Sequence, residues 1–251
     1  SMGSGMFLLN FSSPENFQPF ILISVLMSLA LLPILLTKRK PPTFKKIKSM
    51  SLKELYSSSP LGMVSSVLYG TIQSALFTLL AVYAAAMNFS IFDISLVTFM
   101  LGISGAISQY PVGYISDKFD RRKVIIYSTF GAAIFALFAI FSGGTMYLPE
   151  GLGSSKFWFY FFLIAFSMCS LPMFSLILAH TNDFITRDKF VAAGASLQFA
   201  FGLGAISGPF LCSLFMGLVG NNGFFVFLII FHCLIGVFAI YRMKIRPSEE
   251  N

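Results

Sequence analysis

Seven apolar runs of about membrane length constrain the fold of this chain more than any other feature. By hydropathy they span residues 17–36, 62–87, 95–115, 124–141, 157–180, 192–218 and 224–241. Each run is close to the ~20 residues that an α-helix needs to cross ~30 Å of hydrocarbon. Only helices and closed barrels satisfy their backbone groups there, and unbroken apolar runs do not fit a barrel's alternating pattern. The sequence therefore predicts an all-α integral membrane protein with seven transmembrane helices.

The composition argues in the same direction. Hydrophobic residues make up 56% of the chain and charged residues only 11%, whereas a soluble domain carries about 25% charged residues. The 31 phenylalanines are more than one water-surrounded core of this length would hold. Both observations argue against a soluble fold and make the lipid bilayer the first expected partner.

The basic residues predict the orientation, because successive loops alternate between the two sides of the membrane. All but one of the 17 Lys and Arg side chains follow the first, third, fifth and last runs and so share one side: Lys38, Arg39, Lys40, Lys45, Lys46, Lys48, Lys53, Lys118, Arg121, Arg122, Lys123, Arg187, Lys189, Arg242, Lys244 and Arg246. Only Lys156 lies on the other side.

Under the positive-inside rule the crowded side is cytoplasmic, which places the N-terminus outside and the C-terminus inside. The expected location is the plasma membrane, which is the inner membrane of a bacterium. The net charge of +7 then needs no nucleic-acid partner, because the anionic inner leaflet attracts it.

A long polar segment divides the chain into one helix and a block of six. Residues 1–5 resemble a cloning scar, and residues 6–36 hold the outer N-terminus and the first helix. Residues 37–60 form a basic cytoplasmic linker, residues 61–246 a six-helix unit and residues 247–251 a cytoplasmic tail.

Within the linker, Ser51-Leu-Lys-Glu54 fits a capping box that begins a short helix. Four apolar side chains near it allow two interpretations: Phe44, Ile47, Leu52 and Leu55. Either they rest on the membrane surface beneath the lysines, or the segment is a solvated linker.

A short charged segment between the third and fourth runs, residues 113–123, carries the strongest functional signal. It reads Gly-Tyr-Ile-Ser-Asp-Lys-Phe-Asp-Arg-Arg-Lys, and Gly113 is expected to end the preceding helix. The spacing Gly-x-x-x-Asp-Lys-x-x-Arg-Arg resembles the signature loop of the major facilitator superfamily, a large group of secondary transporters. One position departs from that pattern, since Asp120 stands where a second glycine is usual.

Further motifs extend the resemblance to nearly everything after Met6, and together they look like the YcaD-like branch of the superfamily. They lie at residues 59–62, 109–113, 179–183, 202–209 and 241–242. The resemblance implies that the last six helices form the C-terminal half-bundle of a twelve-helix transporter. The chain would then hold helices six to twelve. The first five would be absent because the chain is shortened or because the gene encodes a half.

A transporter of this kind moves a small solute by alternating access between two six-helix halves, and the isolated half is expected to be inactive. Two alternatives stay open: a natural half-transporter that dimerises, and a seven-helix receptor or scaffold. The receptor interpretation does not explain the signature loop. The expected partners are therefore the small solute and either the missing N-terminal half or a second copy of the chain.

The resemblance also implies substrate-cavity residues, because the seventh and tenth of the twelve helices line the central cavity in the family fold. The candidates are Tyr69, Gln73, Phe77, Ser167, Ser170 and Met173. The first three are four residues apart and share one helix face, and Pro172 is expected to bend the other helix. An amide such as Gln73 needs a partner in hydrocarbon, so it faces either the cavity or a neighbouring helix.

The signature loop supplies a second set of candidates, for gating: Gly113, Asp117, Lys118, Arg121 and Arg122, with Asp183 from the end of the fifth run. In the superfamily the loop acid docks on a helix of the opposite half, so Asp117 is expected to be left with water or a nearby base. The loop arginine pairs with an acid at the position of Asp183, which predicts an ion pair between Asp183 and Arg121 or Arg122.

The sixth run contains small residues four apart, Gly204 and Gly208, followed by Pro209. Such spacing favours close packing against another helix, and the superfamily places Gly-Pro helices of this kind at the interface between halves.

No motif points to an enzyme, a cofactor or a metal, since the sequence lacks the Gly-x-x-x-x-Gly-Lys, Cys-x-x-Cys and His-Glu-x-x-His patterns. His180 and Asp183 allow a proton relay, half a metal site or a structural role. The structural role is favoured because no second ligand pair exists. His232 is expected to be a neutral hydrogen-bonding group. Asp93, at the outer edge of the third run, is a minor candidate for ion coupling.

Overall fold

The computed structural model describes residues 17–36, 49–142 and 155–245, and the regular structure in these segments is helical. The helices in chain order are α1 (Gln18–Leu35), α2 (Leu52–Ser58), α3 (Pro60–Ala86), α4 (Ile91–Lys118), α5 (Arg121–Ser142), α6 (Ser155–Ser170), α7 (Met173–Asn182), α8 (Phe190–Val219) and α9 (Gly223–Ile245), with a 3₁₀ turn at Arg187–Lys189. Six spans are long and apolar enough to cross a membrane, α6 and α7 together forming one, and α1 adds a shorter apolar segment. The chain is an all-α membrane protein, and the six spans together with the shorter α1 agree with the seven helices that the sequence predicts.

Helix α4 begins before the apolar run that predicts it, because its first turn is capped. The Ser90 hydroxyl accepts a hydrogen bond from Asp93 N, and the Asp93 carboxylate accepts one from Ser90 N, at 3.2 and 3.1 Å. This capping box satisfies backbone donors that have no partner inside the helix. A hydropathy scale detects the apolar residues that lie in hydrocarbon, but it does not detect a polar cap that precedes them.

The prediction that Gly113 ends this helix is wrong, because α4 continues through it to Lys118. A glycine ends a helix when it takes a positive φ, and among the described glycines only Gly220, after α8, does so. The helix ends instead at Phe119, whose backbone is extended. The charges of the signature segment therefore belong to two helix ends.

The fifth predicted span consists of two helices, α6 and α7, separated by Leu171 and Pro172. Proline lacks the N–H that would bond the previous turn, and its ring clashes with that turn, so a straight helix is interrupted there. The Leu171 carbonyl accepts a hydrogen bond from the Tyr69 hydroxyl of α3, at 3.3 Å. The disruption expected at Pro172 is present, and α3 supports it.

Helix α3 occupies the centre of the bundle and packs against α7, α8 and α9. Helix α5 packs against α6 and α9, and α4 packs on α6. Aromatic rings fill much of the interior; Tyr83, for example, stacks on Phe224 and meets Phe225 edge-on. All side chains described for α1 are exposed, so the core is built by the helices that follow it.

Glycines bring the backbones of α3 and α8 into contact. A Cβ added to Gly204 would lie 1.9 Å from Val67 O, and one added to Gly70 would lie 2.0 Å from Phe201 O. Gly208 meets the next turn of α3 in the same way, at 2.3 Å from a carbonyl oxygen. Small residues at these positions are therefore what allows the two helices to cross so closely.

Hydrogen bonds between side chains and backbone reinforce this crossing. Thr71 Oγ1 donates to Gly204 O at 3.1 Å, and Ser66 Oγ donates to Leu197 O at 2.8 Å. Helix α8 continues past Pro209 to Val219. The contact made by Gly204 and Gly208 thus joins two helices of the same bundle, α3 and α8.

The short helix predicted in the linker is present as α2. Ser51 caps it by accepting a hydrogen bond from Glu54 N at 3.2 Å. The Glu54 carboxylate does not complete the box, because it accepts a hydrogen bond from Lys189 at 2.6 Å and so ties α2 to the start of α8. Leu55 is fully buried. It packs into the core, so neither interpretation, membrane surface or solvated linker, applies to Leu55.

Some sequence predictions concern residues outside the described segments. These predictions concern residues 1–16, residues 37–48 of the linker, which include Phe44, Lys45 and Ile47, and residues 246–251.

Candidate functional site

The signature segment lies where α4 ends and α5 begins, with Phe119 and Asp120 as the whole connection. Arg121, the first residue of α5, binds two carboxylates: Nη2 lies 3.0 Å from Asp117 Oδ1, and Nε lies 3.1 Å from Asp183 Oδ2. Asp117 belongs to the last turn of α4, whereas Asp183 follows α7. The ion pair expected for Asp183 is present, and Asp117 has a nearby base.

Solvent exposure limits the strength of these contacts. The side chains of Arg121, Asp183 and Asp117 are 25%, 47% and 71% exposed. Exposed ion pairs of this kind contribute about 0–1 kcal/mol, because water screens the charges. The cluster therefore positions the α4–α5 junction against the end of α7 without adding much to the stability of the fold.

Asp120, the residue that departs from the family pattern, caps α5 from within the connection. Its Oδ1 accepts hydrogen bonds from Arg122 N (2.9 Å) and Arg122 Nε (3.1 Å), and its Oδ2 accepts one from Arg122 Nη2 (2.8 Å). Aspartate is a favoured residue at a helix N-terminus for this reason. The substitution of the usual glycine thus adds a cap and holds the Arg122 side chain.

The surroundings of Asp120 and Asp183 shift the pKa values of these two carboxylates in opposite directions. Burial alone raises the pKa of Asp120, but hydrogen bonds from the Arg122 side chain and backbone, with the Arg122 charge, outweigh it and lower the pKa. For Asp183, burial raises the pKa, the Arg121 charge opposes this, and the nearby Asp117 and Asp120 charges add to the increase. One arginine shared between two carboxylates does not offset the effect of burial, so the pKa of Asp183 lies above that of a free carboxylate.

The remaining residues of the signature segment lie apart from this cluster. Lys118 Nζ lies over the Tyr114 ring, 4.2 Å from its centroid, a cation–π contact on the outer surface of α4. Gly113 has open space where a Cβ would stand. Neither residue touches the carboxylates that Arg121 binds.

The structure places four of the six cavity candidates in the packed interior. Tyr69, Ser167, Ser170 and Met173 are fully buried. Ser167 Oγ donates to Leu101 O of α4 at 2.6 Å. These side chains pack between helices of the bundle.

Gln73 and Phe77 differ from the other candidates because they are only partly buried. Phe77 packs on the edge of the core. Gln73 makes no hydrogen bond with any residue of the described segments, although the neighbouring α8 is in close contact with α3.

Ser170 has a partner that the sequence pattern does not reveal. Its hydroxyl lies 2.9 Å from His232 Nε2, and His232 Nδ1 lies 2.8 Å from Leu228 O. The carbonyl can only accept, so Nδ1 carries a proton, and Nε2 of the neutral ring accepts from the serine. His232 is thus a hydrogen-bonding group between α6 and α9, as predicted. Its serine partner, 62 residues away in sequence, was missed.

Asp93 takes part in a polar cluster at the opposite end of the bundle. Its carboxylate accepts hydrogen bonds from Lys156 Nζ (2.9 Å) and the Tyr160 hydroxyl (2.8 Å), besides capping α4. These contacts join the start of α4 to the start of α6. A carboxylate bound by a lysine, a tyrosine and a cap is better suited to holding two helices together than to ion coupling.

His180, the other histidine, is buried, and its ring meets the Phe184 ring edge-on at 5.0 Å. Within the described residues, Asp183 N donates to His180 O at 3.3 Å, and no hydrogen bond joins the His180 ring to the Asp183 carboxylate. In the same segments, no group of three or more His, Cys, Asp or Glu side chains could hold a metal ion.

Comparison with known protein families gives a match over nearly the whole chain. The model of the Major Facilitator Superfamily matches residues 2–145 and 62–251, which together cover nearly all of it. The chain therefore belongs to the major facilitator superfamily.

Several known members of the family are similar to it. The chain is 22% identical over 99% of its length to an uncharacterized MFS-type transporter of Yersinia enterocolitica, of which it covers 61%. It is 20% identical over 88% of its length to the uncharacterized MFS-type transporter YcaD of Escherichia fergusonii, of which it covers 55%. It is 24% identical over 71% of its length to YfkF of Bacillus subtilis, of which it covers 44%. The chain thus spans about 60% of the length of the first of these relatives, which is consistent with a C-terminal half of the fold.

Proposed function

We propose that the chain forms the C-terminal part of a secondary active transporter that moves a small solute across the membrane by alternating access. Family membership and the six membrane-length helices support this proposal. In alternating access, one half of the protein rocks against the other around a central site.

The observation that carries the proposal is the double contact of Arg121. A gate must close firmly enough to block the solute and still open in each cycle. Exposed ion pairs of about 0–1 kcal/mol are weak enough to break and re-form, and Arg121 joins two helix ends that can separate. Asp117, the most exposed of the three side chains, would release Arg121 and dock on the N-terminus of a helix in the opposite half, where a carboxylate is favoured.

The solute site is proposed to lie against Gln73 and Phe77. Gln73 is the partly buried amide of α3 without a hydrogen bond to a described residue, and a polar group in that position needs water, a solute or another protein surface. Tyr69, Ser167 and Ser170 are proposed to support this wall from behind, because they are buried and bound to backbone carbonyls or to a neighbouring side chain.

A ligand-stabilisation screen tests the proposal. Small solutes of different charge and polarity are added to the purified chain, and to the longest natural protein that carries it, and the thermal midpoint is measured. Stabilising solutes are then tested for uptake into vesicles that contain the same protein. Gln73→Ala is expected to weaken stabilisation and uptake together with little effect on folding.

Gln109→Ala is the matched control, because this amide lies on α4 and is exposed. A lower midpoint for Gln73→Ala without any change in solute binding would contradict a cavity role and favour a helix contact. Native mass spectrometry in detergent separates a monomer from a dimer. If transport occurs only with a dimer of this chain, the natural half-transporter is the correct form of the proposal.

A further inference from the structure

We infer that Glu54, in the linker helix α2, is a positioning residue for the contacts of Arg121, which rests on their proposed function as a gate. The connection between α7 and α8, residues 183–189, is bound by an ion pair at each end. At its first residue, Asp183 Oδ2 lies 3.1 Å from Arg121 Nε of α5. At its last residue, Lys189 Nζ lies 2.6 Å from Glu54 Oε1 of α2. Through this connection, Glu54 holds Asp183 where Arg121 binds it.

Backbone hydrogen bonds at both ends keep the connection compact. At its start, Asp183 N donates to His180 O in the last turn of α7, at 3.3 Å. At its end lies the 3₁₀ turn, and Lys189 N donates to Thr186 O at 2.9 Å. A displacement at one end of so short a segment is therefore passed to the other end through bonded groups.

Helix α2 is fixed firmly enough to support the connection. Leu55 is fully buried in the core. Met50 O, just before the helix, accepts a hydrogen bond from Ser196 Oγ of α8 at 2.6 Å. At the other end, Ser59 N donates to Leu55 O at 2.8 Å, and the Ser59 side chain caps the first turn of α3. Helix α2 is thus attached to both α3 and α8, and Glu54 lies on a supported helix.

Helix α2 also borders the connection near Asp183. Ser57 and Ser58 line the same surface groove as residues 183–186. The ion pair at the other end can open, because the Lys189 and Glu54 side chains are 37% and 38% exposed and water screens their charges. A supported helix joined to the gate by a pair that opens can hold the gate in one arrangement and release it in another.

Hydrogen exchange followed by mass spectrometry tests the coupling on the purified chain in detergent, without any solute. Exchange is compared in residues 183–189, in the α4–α5 junction at residues 119–124, and in residues 66–74 of α3 as a reference. Glu54→Gln and Lys189→Met each remove one charge of the pair. The control, Lys53→Gln, removes a charge from an exposed position of the same helix.

Glu54→Gln and Lys189→Met are each expected to speed exchange about two- to fivefold in the connection and in the junction, as loss of an exposed ion pair allows. The double variant should exchange no faster than either single variant, because the two side chains act as one pair. Lys53→Gln should leave both segments unchanged, and the reference should not respond in any variant. No response at the junction, an equal response of the reference, or an equal effect of Lys53→Gln overturns the inference.

A second measurement distinguishes failure of this inference from failure of the proposed gate. The gate is tested in the longest natural protein, through the reaction of a cysteine at position 73 with an impermeant maleimide. If exchange responds as expected but this reaction does not depend on Arg121→Gln, the coupling stands and the gate is wrong. If the reaction depends on Arg121→Gln but the junction does not respond to Glu54→Gln, the gate stands and the positioning role of Glu54 is wrong.

Discussion

The contact between α3 and α8 can be tested by making the same glycine-to-alanine change at a packed and at an open position of α8. Gly204→Ala is expected to destabilise the bundle, whereas Gly202→Ala, two residues earlier on α8, is not. The new Cβ at position 204 would lie 1.9 Å from Val67 O, whereas an ordinary contact begins at 3.4 Å, so the two backbones must separate locally by about 1.5 Å. A Cβ at position 202 meets nothing within 4 Å.

The expected free-energy change follows from these distances. Forced separation of packed helices costs about 1–3 kcal/mol, and the bond from Thr71 Oγ1 to Gly204 O, at 3.1 Å, would lengthen and lose about 0.6 kcal/mol. Alanine stabilises a helix by up to about 1 kcal/mol relative to glycine, which offsets part of this loss. Gly204→Ala should therefore lose about 1–3 kcal/mol, and Gly202→Ala should be neutral or gain up to about 1 kcal/mol.

Thermal unfolding in detergent measures the difference. For a chain of this size, 1 kcal/mol corresponds to a shift of about 2–4 °C in the midpoint, so Gly204→Ala should unfold several degrees below Gly202→Ala. Equal midpoints for the two variants would refute the claim that the glycine crossing holds α3 and α8 together.

Three further predictions concern single side chains. Asp120→Ala should cost about 1–2 kcal/mol at neutral pH, because α5 loses its cap, whereas Asp120→Gly should cost only a few tenths; denaturant titration compares them. The folded pKa of Asp120 is lowered below its unfolded value of 3.8, so the carboxylate stabilises the fold above that pH, and this stabilisation is lost as the pH falls through the folded pKa. An Asp120→Asn variant whose free energy of unfolding changes with acid pH in the same way as that of the wild type would contradict this. Ser170→Ala should cost about 1–2 kcal/mol by leaving His232 Nε2 without its donor, and Ser170→Thr should cost less if the hydroxyl keeps its direction; equal midpoints for Ser170→Ala and the wild type would contradict the assignment. Single cysteines at Lys45 and Arg121 should react with an impermeant reagent from the cytoplasmic side and one at Asn88 from the outside; reaction of positions 45 and 88 from the same side would contradict the orientation.

The sequence predicts the helices well because hydrophobic length is a strong signal in membrane proteins. The predicted spans differ from the observed helices mainly at their ends, where caps decide the boundary. The capping box of Ser90 and Asp93 lengthens α4, and glycine does not end the helix at position 113 because nothing there requires a positive φ. Such local bonds are invisible to a hydropathy scale.

The residue partners were harder to predict. The ion pair of Arg121 and Asp183 follows from the resemblance to the signature loop, since the two residues are 62 positions apart in sequence. The pairing of Ser170 with His232 depends on which helix faces meet. A single sequence shows which residues share a helix face, but it does not show which helix packs on that face. The interior positions of Tyr69 and Ser167 could therefore not be distinguished from cavity-lining positions.

The accessibility of position 73 tests the proposed transport mechanism most directly. Gln73→Cys is introduced into the longest natural protein that carries this segment, with Cys169, Cys212 and Cys233 replaced, and is treated with a membrane-impermeant maleimide from each side separately. Alternating access predicts reaction from both sides. Arg121→Gln, which breaks both contacts of the gate, should raise the rate from the cytoplasmic side and lower it from the outside. Reaction from neither side, or from one side at a rate that Arg121→Gln does not change, would contradict the mechanism.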